Sequence, residues 1–294
     1  MTIADLGHPD NQVVVTGHRG FIGRHLMRRL PNARACDRDV HRLDVPESLA
    51  SLLADANVIV HLAGLSAGSG FMPANEDLVR ANVHTTRGLL QGIKRFARPD
   101  ALVVLLSTIH VYRRVDRYDE STELAPASYY GLTKLTQELL VEEAALAGLR
   151  AVILRAGNVY GPGSQPNYNS AVATFCDRIK RDLPIELMGG GRSQANLLYV
   201  TDLVDIVMRA PELASRQATF YNVSAGASVD VRDIVGELAR CSGREVDVRV
   251  AETPPVRFEI DNSRLLGALG GYEFTSLRDG LSVTYRAQAE MATT

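Results

Sequence analysis

Tyr130 and Lys134 stand four residues apart in Ser128-Tyr129-Tyr130-Gly131-Leu132-Thr133-Lys134, so on a helix they share one face. A cation beside a phenol favours the phenolate, and this spacing predicts a tyrosine pKa lowered from about 10 towards working pH. Such a phenol can give a proton to an alcohol oxygen, or take one from it, while hydride moves to or from a nicotinamide. The alternative is an ordinary surface tyrosine. A second stretch weighs against that alternative. In Val13-Val14-Val15-Thr16-Gly17-His18-Arg19-Gly20-Phe21-Ile22-Gly23 an apolar run ends at a glycine, and glycine recurs at every third position. Such glycines let the backbone turn sharply and approach a pyrophosphate, while a following helix offers its unpaired N–H groups and positive dipole end to the anion. Gly17, Gly20, Phe21, Ile22 and Gly23 are therefore candidate dinucleotide contacts.

Elements must bring these two stretches together. Strand-like runs fall at 12–16, 33–36, 58–62, 102–107 and 151–155, alternating with helical apolar periodicity at 21–30, 47–53, 76–96 and 128–146. Alternation of this kind predicts a doubly wound α/β fold, a parallel sheet covered by helices on both faces. The pattern then becomes irregular, with turn-rich stretches at 161–169 and 188–191. Residues 197–207 and 219–223 read as returns to the sheet. Segments 231–241, 246–250 and 276–286 suggest a smaller mixed lobe. The expected division is a dinucleotide-binding Rossmann domain over 1–157 plus 197–225, with a substrate lobe over 158–196 plus 226–294. Ligands of open parallel sheets sit beyond the carboxyl ends of the strands, so chemistry is expected in the cleft between the two.

The bulk numbers narrow the class. The chain has 294 residues, of which 46% are hydrophobic and 22% charged, with a mean hydropathy of -0.04. These are values of a soluble globular protein long enough for one large α/β unit or a large and a small lobe. A formal net charge of -2 makes no electrostatic case for nucleic acid or an anionic membrane as a partner. No apolar run approaches a membrane span, and the first dozen residues lack a signal-peptide core. Cys36, Cys176 and Cys241 lie far apart, which points to a reducing cytoplasm. The histidines show no metal-ligand spacing, so no metal is expected.

Taken with TGHRGFIG at 16–23, the segments HLAG at 61–64, STIHVY at 107–112, YYGLTK at 129–134, LRAGNVYGPG at 154–163 and LLYVTDLV at 197–204 occur in family order. The chain thus resembles the extended short-chain dehydrogenases/reductases, the group of nucleotide-sugar epimerases, dehydratases, decarboxylases and ketoreductases. The resemblance implies Tyr130 as the catalytic acid/base, Lys134 as the residue that holds the nicotinamide ribose and tunes Tyr130, and Thr108 as a hydrogen-bond partner of the reacting sugar oxygen. It places Asp44 and Val45 against adenine, Leu62, Ala63 and Gly64 along the cofactor, and Asn158 and Arg257 on the substrate. It also implies a homodimer formed through the Tyr130 helix and its neighbour, where Leu135, Leu139 and Leu140 offer apolar surface.

Departures from the family pattern carry information. Sugar 4,6-dehydratases place an Asp-Glu pair where this chain has Ile109 and His110, which argues against dehydration. His110 is either a second proton-transfer group or a hydrogen-bonded part of the pocket wall. Ala195 replaces an arginine that many relatives direct at the substrate diphosphate, a task Arg192 or Arg257 would then take over. The cofactor is read as NAD or NADP. Asp37, twenty positions after Gly17, suits the adenosine ribose hydroxyls of NAD, whereas Arg19 and Arg38 suit a 2′-phosphate. The leading functional reading is a nucleotide-sugar 4-ketoreductase. A 4-epimerase with tightly bound NAD, a uronic acid decarboxylase and a non-catalytic dinucleotide-sensing protein are the alternatives.

Overall fold

The computed structural model describes residues 6–66, 72–168 and 170–291. Its strands are β1 (Val13–Thr16), β2 (Arg34–Ala35), β3 (Val58–His61), β4 (Leu102–Thr108), β5 (Arg117–Tyr118), β6 (Arg150–Ala156) and β7 (Asn158–Tyr160). They continue with β8 (Ile185–Leu187), β9 (Gln194–Ala195), β10 (Leu197–Tyr199), β11 (Thr219–Val223), β12 (Val229–Asp230), β13 (Val248–Val250) and β14 (Glu259–Ile260). The helices are α1 (Phe21–Arg29), α2 (Ala50–Leu53), α3 (Asn75–Leu78), α4 (Thr85–Phe96), α5 (Tyr129–Leu146) and α6 (Ala171–Lys180). After them come α7 (Val200–Met208), α8 (Ala210–Leu213), α9 (Val231–Ser242), α10 (Ser263–Leu269) and α11 (Leu277–Met291).

Six strands form one sheet in the order β2-β1-β3-β4-β6-β11, and every pairing in it is parallel. Side chains alternate between its faces, and both faces are dry. Val13, Val15, Val58, Val60, Val104 and Leu154 enter one apolar cluster with α1 and α7. Val14, Ile59, Val103, Leu105 and Ile153 enter the other, with α2, α4 and α5. Burial on both faces explains why these strands read as continuous Val/Ile/Leu runs rather than alternating ones. A third cluster gathers α6, α9 and α11 around Ile185, Leu187, Tyr160 and Tyr199. None of the described helices is long and apolar enough to cross a membrane.

The sequence expectation of sheet strand over 197–207 is corrected. Only Leu197–Tyr199 is extended, and it pairs with β7 outside the main sheet. Val200–Met208 is helical, burying Val200, Leu203, Val204 and Val207. A short run of β-branched residues looks like a strand, yet its three- and four-residue returns fit a helix equally, and packing against α1 decides. The helix expected over 76–96 is interrupted by a π-helical turn at Val79–His84, which turns Asn82 into the interior.

Candidate active site

Main-chain geometry shapes the cleft first. Gly17 follows β1 at φ +73°, and a Cβ there would lie 2.7 Å from the Ala63 nitrogen. A side chain at this turn would therefore be strained and would push β1 and β3 apart. α1 begins at once, with no side-chain cap and no acidic residue in its first turn, leaving its N-terminal N–H groups facing a potential anion. At the far side, Ser128 caps α5 by accepting from the Gly131 N–H at 3.0 Å. A Cβ on Gly131 would collide with the His110 carbonyl oxygen, so glycine lets α5 approach the end of β4 and bring Tyr130 over it.

A cavity of about 500 Å³ runs between these features. Gly17, Gly20, Phe21, Ile22, Gly23, Leu62 and Gly64 line one end, Thr108, His110, Tyr130 and Lys134 the middle, and Asn158 the approach to α6. The strand ends, the glycine turn and the Tyr130 helix thus converge on one cavity. Ala63 lies behind this wall, donating its N–H to Thr16 Oγ1 at 3.1 Å.

Other expected contacts do not border this cavity. Arg19 pairs with Asp37 at 2.8 Å and with Asp39 at 3.7 Å. The Asp39 N–H and then Arg19 hold the Asp37 carboxyl below its ordinary range. Arg38 is exposed. Asp44 accepts from Arg42 at 2.9 Å, and that bond lowers its pKa; Val45 beside it is half-buried. Neither Arg192 nor Arg257 lines the cavity. Among the described lining residues Lys134 is the single Lys, Arg, Asp or Glu, and Ala195 borders the cavity where an arginine would be usual in the family.

Lys134 gives the clearest departure from expectation. Its ammonium donates to the Leu106 carbonyl at 2.8 Å and to Gln137 Oε1 at 2.5 Å. The Tyr130 pKa is not lowered but pushed up to about 12: withdrawal from water dominates, the Thr108 hydroxyl offsets part of it, and Tyr168 adds to it. The expected cation effect loses because burial penalises the phenolate more than this environment stabilises it. Burial likewise brings Lys134 down to about 8, against the opposing influence of Glu138. The His110 ring stands 6.2 Å from the Tyr130 ring, edge to face. Its pKa is lowered by burial in the cleft and then by Arg114.

Behind the cavity lies a polar chain that the motifs alone did not single out. Gln137 donates to Thr86 Oγ1 at 2.6 Å, and Thr86 donates to the Asn82 carbonyl at 2.6 Å. His61 lies between Thr16 and Thr86, 2.8 Å from each. With the Thr86 proton committed to Asn82, His61 donates from Nε2 to Thr86 and accepts at Nδ1 from Thr16. Asn82 in turn bonds both main-chain groups of Leu65 and the Thr133 hydroxyl. The available signal was polarity in the wrong place: Thr133, Gln137 and Glu138 occupy the buried face of α5, and Arg155 sits inside an apolar strand.

An open parallel sheet whose order reverses between β1 and β3, with a glycine turn opening onto a helix at that point, defines a Rossmann-type protein with a dinucleotide cleft. The family model for the NAD dependent epimerase/dehydratase family matches residues 13–224. The chain belongs to that family, among the extended short-chain dehydrogenase/reductase enzymes. It is 29% identical over 232 residues to the UDP-2-acetamido-2,6-beta-L-arabino-hexul-4-ose reductase of Pseudomonas aeruginosa, covering 77% of this chain and 56% of that longer protein. It is 29% identical over 296 residues to the GDP-6-deoxy-D-talose 4-dehydrogenase of Aggregatibacter actinomycetemcomitans, covering 94% and 97% of the two chains. The solved structure of MoeE5 in complex with UDP-glucuronic acid and NAD superposes with a TM-score of 0.82 at 26% identity, over 96% of this chain and 100% of that one.

Proposed function

We propose that this chain is an NAD(P)-dependent oxidoreductase of a nucleotide-activated sugar, acting as a 4-ketoreductase. The observation that carries the reading is the placing of Thr108, Tyr130 and Lys134 in one cavity continuous with the glycine turn. Relatives named for 4-keto reduction and 4-dehydrogenation support the position of the reacting carbon. In this reading the glycine turn and α1 N-terminus hold the dinucleotide pyrophosphate, and the dinucleotide supplies the reducing equivalents. Thr108 orients the sugar oxygen, Tyr130 delivers its proton, and Lys134 holds the nicotinamide ribose while its charge stabilises the phenolate left after the proton has gone. The reduction takes a single proton, so the role of His110, whose ring stands 6.2 Å from that of Tyr130, is to return a proton to the Tyr130 phenolate after turnover. The raised Tyr130 pKa suits the reductive direction, because a phenol that keeps its proton at neutral pH is ready to act as the acid.

The preferred cofactor is NAD. Asp37 carries a carboxylate already engaged by Arg19, so a 2′-phosphate would meet a charge-neutralised arginine and an anion together. The substrate lies towards Asn158 and α6, in the lobe expected over 158–196 plus 226–294, although α10 within that range packs through Leu265 and Leu269 on the main-sheet core. With no guanidinium among the described residues that line the cavity, Arg192 and Arg257 are assigned to the diphosphate from beyond its rim. The chain works as a homodimer through the outer face of α5; of the expected Leu135, Leu139 and Leu140, Leu139 is exposed there, with Leu132 and Leu146 at seven-residue intervals, while Leu135 packs inward against the Ile109 and Val111 cluster.

The test is consumption of NADH or NADPH with a panel of 4-keto nucleotide sugars. Rapid oxidation of the reduced cofactor supports the reductase. NAD retained by the purified protein, with interconversion of 4-epimers and no net oxidation, assigns it as an epimerase instead, a reading favoured by the likeness to a Bacillus subtilis relative named as a UDP-glucose epimerase.

A further inference from the structure

The Lys134 ammonium is buried, and it donates to two neutral oxygens, the Leu106 carbonyl and Gln137 Oε1. An ammonium so placed tends to lose its proton unless a negative charge lies nearby. The carboxylate that acts on it is Glu138, the next residue along the face that carries Tyr130 and Lys134, at positions 130, 134 and 138. Glu138 is itself locked in place. Arg155 Nε reaches both its oxygens at 3.1 Å, and Arg155 Nη2 reaches Oε2 at 2.7 Å. Ser107, adjacent to Thr108 on β4, donates its hydroxyl to Oε1. Arg155 is held in turn by donation to the Tyr112 hydroxyl at 2.9 Å and by the faces of Tyr112 and Phe220, 4.9 and 4.8 Å from its guanidinium carbon.

A buried Glu–Arg pair is a weak source of stability, because desolvation consumes most of its attraction. A chain needing only a filled core could use apolar residues here, so the pair points to a role for its charge. Lys134, Glu138 and Arg155 together leave one net positive charge in the interior behind Tyr130. Arginine stays protonated under all ordinary conditions, so the group that responds to a change at Glu138 is Lys134.

We infer that Glu138 is a positioning residue: clamped by Arg155 and Ser107, its carboxylate keeps the Lys134 side chain in its ammonium form beside Tyr130. This rests on the reading of Tyr130 and Lys134 as the acid and its supporting cation. The titratable and charged groups around Lys134 are Tyr130 and Glu138 from α5, His61 from β3, His110 at the end of β4, and Arg155 with Tyr112 behind Glu138. His61 is held neutral by burial and by Lys134 itself, so it supplies no compensating charge.

The chain contains three lysines, Lys94, Lys134 and Lys180, so lysine titration can be followed residue by residue. Full-length protein labelled with ¹³C-lysine is titrated by NMR, with the Lys134 signal assigned from its loss in Lys134→Met. In Glu138→Gln the Lys134 midpoint falls by about one pH unit or more, while Lys94 and Lys180 stay put. Ser107→Ala, which removes one hydroxyl and one hydrogen bond from the carboxylate, concentrates its charge and raises the midpoint by roughly a few tenths of a pH unit. A lower midpoint in folded Glu138→Gln supports the inference. A Lys134 midpoint unmoved in folded Glu138→Gln overturns it, as does an unmoved midpoint in Ser107→Ala where Glu138→Gln does not fold. The titration needs no substrate, so absence of the proposed reductase activity with the expected midpoints counts against the function alone.

Discussion

Arg19, within the glycine turn, bonds the carboxylate of Asp37, just past β2, at 2.8 Å, and both side chains remain open to solvent. The pair brings together the residue suited to a 2′-phosphate and the residue suited to ribose hydroxyls. Each cofactor would ask it to open in a different way.

Asp37→Ser removes the anion and releases Arg19. NADH binding weakens and NADPH binding strengthens, so the ratio of the two dissociation constants moves by about tenfold or more, roughly 1.4 kcal/mol. Fluorescence titration with each reduced cofactor measures this. An unchanged ratio would remove Asp37 from the adenosine ribose site.

Tyr130→Phe keeps the ring and deletes the proton. Turnover falls by about 10²- to 10⁴-fold or more, the range for losing a positioned acid, while the dinucleotide dissociation constant stays within about twofold. Retained turnover would eliminate Tyr130 as the acid.

His61 is buried between Thr16 and Thr86, and desolvation followed by the Lys134 charge brings its pKa to about 3. The unfolded chain takes up a proton near pH 6.5 that the folded chain refuses until about pH 3, so this group destabilises the fold as pH drops through that window. Its slope is at most about 1.4 kcal/mol per pH unit for one proton. The urea midpoint should fall between pH 7 and pH 5, and His61→Asn should fall less steeply over the same interval. His25 and His110 are also lowered and act in the same sense.

Leu139 is 52% exposed on the outer face of α5. In the proposed homodimer Leu139→Glu buries a charge opposite its own symmetry mate, and light scattering should report a monomer at concentrations where the wild type is dimeric. A wild-type chain that is already monomeric would dispose of this interface.

The sheet, the glycine turn and the Tyr130–Lys134 face were legible in the sequence because each follows from local rules. A strand buried on both faces must be apolar, a sharp turn against a neighbouring strand needs glycine, and residues four apart on a helix share a side. The 197–207 stretch is ambiguous in sequence because its local pattern fits two states, and only contact with α1 chooses between them. The protonation of the site was decided by tertiary structure alone. Neighbouring a lysine in sequence says nothing about how much water the phenol loses, nor that the ammonium turns to Leu106 and Gln137. The same holds for Arg155 and Glu138, seventeen residues apart, and for His61 and Thr86, twenty-five apart. Charge balance in an interior is a sum over everything nearby in space, and a chain read one residue after another does not contain those distances.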